Sequence, residues 1–391
     1  MMVRLYFTIL LLLLYIQNAY SPMKVYLLTL FIVLLPFIIV LIPHENGPTF
    51  FNRAAAFIVP YSIVLFPLLI YTLFSLVGKL LGIFSSSVGS YAELLAIIFG
   101  VTVFGVMLIG NFWGPKHLSV KEITVESDKI PAAFDGYKIV QFTDLHLASQ
   151  SKQPEFVAEL VEKINAQDAD IVCFTGDLVT GDRRELVGAD DGLDMHHDYR
   201  GVLSKLKAKD GVFSVLGNHD YHMYTGISKT DKKEWVELFK QDQRNLGWHL
   251  LLNENVLIKR GNDSICLAGC ENYGDGKHFP QHGDLDKAFK GAEDVACKIL
   301  LSHDPTHWNR RILPESKKHD VLLTLSGHTH AMQLKFFGWS PSSWIYKQND
   351  GLYEEHSHYI NVSHGVGGAG LPFRFGAWPE ICVITLSTSK Y

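Results

Sequence analysis

Five short blocks constrain this chain most: Asp144-Leu145-His146, Gly176-Asp177, Gly217-Asn218-His219-Asp220, Ser302-His303-Asp304 and Gly327-His328-Thr329-His330. Each follows an apolar run of the composition found in strands. Each then offers carboxylate, amide or imidazole side chains. Such groups from five strand ends can meet only if the sheet architecture brings those ends together. The blocks therefore predict an α/β fold with its ligands gathered beyond the carboxyl ends of the strands.

The segments between the blocks agree. Predicted strands over 138–143, 171–175 and 212–216 alternate with predicted helices over 154–166, 199–208 and 232–246. Pro154 suits a first helical turn, and Phe156, Val157, Leu160, Val161 and Ile164 share one helical face. In the last of these helices the pattern points Trp235, Leu238, Phe239 and Leu246 inward. The later half is strand-rich. It holds a hairpin over 255–259 and 264–268, turning at Gly261, Asn262 and Asp263, then strands over 298–302, 321–325, 359–362 and 381–386. The expected class is α/β: two mixed β-sheets in a sandwich, flanked by helices.

Residues 1–113 have a different composition. Runs over 25–43, 54–77 and 94–113 carry no Asp, Glu, Lys or Arg, and each approaches the roughly 20 apolar residues that span a bilayer. A shorter run over 5–16 reads as a fourth span, as a signal peptide, or as untranslated sequence before Met23. The expected organisation is an all-helical transmembrane region of three or four helices over 1–113, a linker over 114–131 holding one strand (120–125), and a soluble domain over 132–391. Arg53, Lys116, Lys121 and Lys129 fall on one side of the membrane, and Lys24 and Lys79 on the other. By the positive-inside rule the soluble domain is cytoplasmic. A net charge of −5 gives no reason to expect nucleic acid. The five cysteines have no zinc-ribbon or redox spacing. Cys173, Cys297 and Cys382 lie in apolar runs as buried thiols, and the Cys266-to-Cys270 spacing is incidental.

The chemistry of the blocks is that of a metal centre. In extended chain, period-2 alternation places Asp144 and His146 on one face. Gly176 allows a tight turn that presents Asp177, whose two oxygens can bridge two cations. Asn218 adds a neutral oxygen, and His303, His328 and His330 add imidazoles. A mixed oxygen and nitrogen set without thiolate suits Mn²⁺, Fe or Zn²⁺. Two cations about 3.5–4 Å apart clamp a phosphoryl group for in-line displacement.

The ordered set D-x-H, G-D, G-N-H-D, H and G-H-x-H resembles the signature of the calcineurin-like metallophosphoesterases, over residues 136–386. The resemblance implies their sandwich fold and two divalent metal ions, with Mn²⁺ favoured. One metal would be held by Asp144, His146, Asp177 and His330, the other by Asp177, Asn218, His303 and His328. Asp177 would bridge. His219 would stabilise the transition state and protonate the leaving alkoxide, with Asp220 orienting it, as a metal-bridging hydroxide attacks an ester, diester or pyrophosphate bond. After Asp177 comes Leu178-Val179-Thr180-Gly181-Asp182. This lacks the Asp-Arg-Gly of protein phosphatases and the Tyr ligand that purple acid phosphatases would place at Thr180. The chain resembles the bacterial membrane-anchored branch, which implies the inner membrane. Its expected function is a phosphoesterase or phosphodiesterase acting on a phosphorylated small molecule or lipid. The alternative is a non-catalytic scaffold or regulatory membrane protein that kept the fold.

Other residues have two readings each. Arg374 would touch substrate phosphate or form an ion pair. His222 would face substrate or pack in its loop. His196 and His197, in the acidic run 190–198, would recruit metal or lie in solvent. Phe336, Phe337, Trp339, Trp344 and Tyr346 would meet lipid or form a small satellite core. The Asn-x-Ser sequences at Asn262 and Asn361 are incidental.

Overall fold

The computed structural model describes residues 48–150, 154–188, 197–223, 229–276 and 279–389. The runs over 5–16 and 25–43, and His196, lie outside the described residues. The chain divides into a helical unit and an α/β unit.

The helical unit contains α1 (Pro48–Gly82) and α2 (Ser86–Phe112). Their segments Ser62–Gly82 and Ser86–Lys116, of 21 and 31 residues, are long and apolar enough to cross a membrane. The two helices pack through small residues. A Cβ on Gly89 would come within 2.7 Å of the Gly82 Cα, and one on Gly100 within 3.1 Å of the Tyr71 Cβ. Close backbone approach of this kind drives helix association in lipid. The charge-free run beginning at Leu94 proves to be part of a longer helix that includes Glu93. Tyr71 Oη and Ser75 Oγ each donate to its carboxylate at 2.7 Å. The two hydroxyls offset part of the cost of carrying an acid in an apolar helix.

The α/β unit is a sandwich of two six-stranded sheets. In chain order its strands and long helices are β1 (Ser119–Ser127), β2 (Lys138–Phe142), α3 (Pro154–Asn165), β3 (Ile171–Phe174), β4 (Val212–Ser214), α4 (Lys229–Asn245), β5 (His249–Leu250), β6 (Glu254–Arg260), β7 (Asp263–Gly269), β8 (Lys298–Leu301), β9 (Leu323–Ser326), β10 (Gly351–Glu355), β11 (His358–Val362) and β12 (Glu380–Thr388). One sheet has the order β1-β12-β2-β3-β4-β5, the other β10-β11-β9-β8-β7-β6. Strands β2 to β5 run parallel, as do β7, β8, β9 and β11. The carboxyl ends of β2, β3, β4, β8 and β9 lead directly into the five blocks.

Strand alternation sorts the core into layers. Ile139, Ile171, Cys173, Ile299, Leu301, Leu323 and Leu325 fill the space between the sheets. Val140, Phe142, Val172 and Phe174 face the opposite way, against Phe156, Leu160 and Ile164 of α3. Phe142, Phe174 and Trp248 pack ring against ring there, with centroids 4.8–6.0 Å apart. Each such buried side chain contributes about 1.5–3 kcal/mol.

Several expectations change. The strand foreseen in the linker is integral to the sheet, since β1 pairs with β12 from Ser119 to Ser127. The short β5 and the polar β10 are not among the expected strands: β5 is only two residues long, and β10 has no apolar run. The helix predicted over 199–208 shortens to Arg200–Leu203. The Asn165 side chain accepts from the Lys207 amide at 3.1 Å, which draws the chain out of the helix. Leu238 is exposed on α4, while Phe239 and Leu246 are buried. All five cysteines are buried and free.

Candidate metal centre

The sheet ends deliver the blocks to one place. Beyond β2 and β3 the loops continue the ladder: Asp144 N donates to Gly176 O (2.9 Å), His146 N to Asp177 O (3.1 Å) and Leu147 N to Leu178 O (3.1 Å). In the second sheet, beyond β8 and β9, Gly327 N donates to His303 O (2.9 Å). Gln141 stitches the sheets beneath the centre. It donates to Ser326 O (2.9 Å) and accepts from Asn361 Nδ2 (2.8 Å).

The local conformation is not the extended one expected. Asp144, His146, Asp177, His328 and His330 all have positive φ, between 43° and 73°. Alternation along a strand therefore does not aim Asp144 and His146. Left-handed turns just past the strand ends do, and for non-glycine residues these cost of order 1–3 kcal/mol each. Tight packing holds them. A Cβ on Gly217 would lie 2.1 Å from Asp177 Oδ1, and one on Gly327 would lie 2.2 Å from Asp144 Oδ2. The glycines of the blocks leave room for the carboxylates.

Two groups of donor atoms result. In the first, His330 Nε2 lies 3.3 Å from Asp144 Oδ1 and 3.1 Å from His146 Nε2, which is 3.8 Å from Asp177 Oδ2. In the second, His303 Nε2 lies 3.1 Å from that same Asp177 oxygen and 3.2 Å from Asn218 Oδ1. His328 Nδ1 is 2.8 Å from Asn218 Oδ1 and 3.3 Å from His303 Nε2. Asp177 Oδ2 thus belongs to both groups. Asp144 Oδ1 is buried without any hydrogen-bond donor. A lone carboxylate oxygen among imidazoles fits a cation.

Outer contacts select which ring nitrogen faces inward. His303 Nδ1 donates to Thr175 O (2.8 Å), leaving Nε2 for the centre. His328 Nε2 lies 3.1 Å from Tyr346 Oη and 3.5 Å from Asp304 Oδ2, leaving Nδ1. His219 Nδ1 donates to Thr180 O (2.6 Å), and its ring stands edge-on to that of His146 at 4.8 Å. Burial lowers His146 to about 3 and also lowers His328 and His330. These imidazoles are therefore neutral, as metal ligation requires. Burial works against the charge on both Asp177 and His303, but their contact raises His303 to about 10 and holds Asp177 well below the usual carboxylate range.

Asp220 does not take the expected place. Its carboxylate accepts from the backbone amides of Asp177 (2.8 Å), Leu178 (2.9 Å), Val179 (3.2 Å) and Gly217 (2.9 Å). It anchors the loops that carry Asp177 and Asn218, and the Thr180 carbonyl is what holds His219. Glu185, which sequence reasoning missed, works in the same way. Its carboxylate accepts from the amides of Ala148 (3.0 Å), Thr180 (2.7 Å), Gly181 (3.1 Å) and Asp182 (3.1 Å), joining the loops after His146 and Asp177. Nothing in the sequence marks Glu185. Asp304 stands in the fourth block without an expected role; the structure places its Oδ2 3.5 Å from His328 Nε2.

Arg374 fits neither of its readings. It is buried, and it donates to the carbonyls of Gly367 (3.0 Å), Ala377 (2.8 Å) and His364 (2.8 Å). Burial lowers its pKa to about 10, so it stays charged behind His330. His222 packs in its loop, stacked on Trp235 at 3.9 Å. His197 packs near Tyr199, with ring centroids 6.0 Å apart. The aromatic segment is not a packed satellite core: Phe337, Trp344 and Ile345 are 110%, 78% and 66% exposed.

The family model of the calcineurin-like phosphoesterases matches residues 137–332. The chain belongs to this family. It is a metal-dependent phosphoric ester hydrolase, and the family implies a dinuclear divalent metal site. The metallophosphoesterase YkuE of Bacillus subtilis is 29% identical over 316 residues, covering 77% of this chain and 99% of that protein. A Helicobacter pylori metallophosphoesterase is 33% identical over 293 residues, covering 72% of this chain and 69% of its own. A transmembrane protein with a metallophosphoesterase domain from Danio rerio is 29% identical over 340 residues, covering 83% and 71%.

Proposed function

We propose that this calcineurin-like phosphoesterase is anchored in a membrane by its apolar first 113 residues and hydrolyses a lipid-linked phosphate ester, diester or diphosphate on the cytoplasmic side. Asp144, His146, Asp177 and His330 hold one metal; Asp177, Asn218, His303 and His328 hold the other. The observation that carries this reading is the single Asp177 oxygen common to both donor groups. Bound there, two divalent cations lower the pKa of water and neutralise phosphoryl charge. A mixed oxygen and nitrogen donor set without thiolate suits Mn²⁺, Fe or Zn²⁺.

The protein's own groups do the rest. The Thr180 carbonyl holds Nδ1–H of His219, which leaves Nε2 as the atom that gives a proton to the departing oxygen. Asp220 and Glu185 fix the loops through the backbone amides they accept from. Exposed Phe337, Trp344 and Ile345 lie on the segment whose Tyr346 touches His328, which supports a substrate presented at a lipid surface. The two apolar helices and the Danio rerio relative support membrane association. The positions of Arg53, Lys116, Lys121 and Lys129 support the cytoplasmic side.

The test is turnover of bis(p-nitrophenyl) phosphate and of vesicle-borne lipid phosphates by the full chain, with metal content measured in parallel. Two metals per chain and Mn²⁺-dependent hydrolysis are expected. Two bound metals with no turnover of any phosphate ester would refute the catalytic reading and leave the scaffold.

A further inference from the structure

A cleft of about 580 Å³ opens in the α/β unit, lined by Tyr221, Met223, Lys232, Lys233, Val236 and Phe279, among others. Two of its lining residues adjoin the metal centre. The Phe279 ring stands edge-on to His328, with centroids 5.3 Å apart. Tyr221 ends the short turn that begins at His219, and its hydroxyl donates to Glu271 Oε1 at 3.1 Å, fixing the ring. A group bound in this cleft would therefore lie beside both His219 and the second donor group.

The lining has two chemistries. Tyr221, Met223, Val236, Phe279 and Pro280 form apolar and aromatic walls. Lys232 and Lys233 bring positive charge from α4. Lys232 Nζ reaches Met223 O at 3.4 Å. Lys233 is exposed, and none of the hydrogen bonds or ion pairs among the described residues occupies it. The carboxylate in the lining, Glu237, is paired with Lys240 at 2.8 Å. An apolar wall bearing two lysines suits a ligand that is both apolar and anionic.

Building on the phosphoesterase reading, we infer that this cleft receives the part of the substrate beyond the scissile phosphate, and that this part is a bulky apolar or ring-bearing group carrying a second anionic group. The substrate class is an organic phosphate with at least two negative centres, distinct from a small monoester, which would occupy the metal centre alone. The apolar portion is either a flat ring or a flexible chain, and the two have the same claim on these walls.

The experiment uses the full-length, metal-loaded protein in detergent micelles, with hydrolysis of p-nitrophenyl phosphate as reporter. Inorganic phosphate, ADP and hexyl diphosphate are compared as competitive inhibitors. At least one of the two organic diphosphates should bind about tenfold or more tightly than inorganic phosphate, a difference of about 1.4 kcal/mol. ADP in that role indicates a ring-binding cleft; hexyl diphosphate indicates one for a chain. Lys233→Glu, and separately Val236→Trp, which fills the cleft, should erase that preference and leave the inhibition constant of inorganic phosphate within about twofold. The inference is overturned if neither diphosphate exceeds inorganic phosphate, or if the variants weaken all three inhibitors alike. If no metal gives turnover, the catalytic reading fails by itself, and calorimetric titration with the same three compounds still decides the cleft.

Discussion

His219 and Asp220 are neighbours with different work. The ring nitrogen of His219 is held by Thr180, and the Asp220 carboxylate is spent on four amides. His219→Gln should keep both metals and lose about 10²-fold or more in kcat, as for a lost general acid. Asp220→Asn should behave differently. An amide in that pocket sets its NH₂ against backbone N–H groups and leaves donors unsatisfied, at about 1–3 kcal/mol each. The expected outcome is a lower melting temperature and reduced metal content, read by calorimetry and elemental analysis. A kcat defect at full stability would restore the orienting role. The sequence made both residues candidates, but it could not tell which polar group would meet which.

The blocks work as elements through their turns. Five of the donor residues have positive φ, and the carboxylates of two of them, Asp144 and Asp177, lie where a glycine Cβ would be. Gly327→Ala places a methyl group against Asp144 Oδ2 and Thr143 Oγ1. Overpacking typically costs about 1–3 kcal/mol, and here the displacement falls on a carboxylate proposed to hold metal. Metal affinity should fall well before the fold is lost, as metal titration followed alongside circular dichroism would show. Strand positions were legible because apolar runs end abruptly at the blocks. The turns were not, since a left-handed Asp or His carries no mark in composition. Composition also hides β10, which is held by pairing with β11 and not by an apolar pattern of its own.

The whole molecule depends on buried charge away from the centre as well. Asp350 lies 3.1 Å from His364 Nδ1 and also pairs with Lys335. Burial would raise its pKa, but His364 and the lysines hold it well below the usual carboxylate range. A depressed carboxyl contributes stability above the unfolded pKa, near 3.9, and loses it as pH falls toward the folded value. Asp350→Asn should therefore cost about 3 kcal/mol at neutral pH. The gap in melting temperature from the parent should close as pH drops below about 4. Removing metal should also lower the melting temperature of the parent, because a ligand bound only to the folded state stabilises it by mass action. Added Mn²⁺ should restore it, and the Asp177→Asn variant should respond least. By itself the sequence determined the donor types, their order along the chain, the alternation of strand and helix and the apolar character of the first third. Those depend on local composition and period. Only the tertiary structure decided which oxygen is shared, which ring nitrogen faces inward, that Asp220 and Glu185 clasp loops, and that a cationic apolar cleft opens beside the centre. Those depend on contacts between residues far apart in the chain, where a few tenths of an ångström separate a hydrogen bond from a collision.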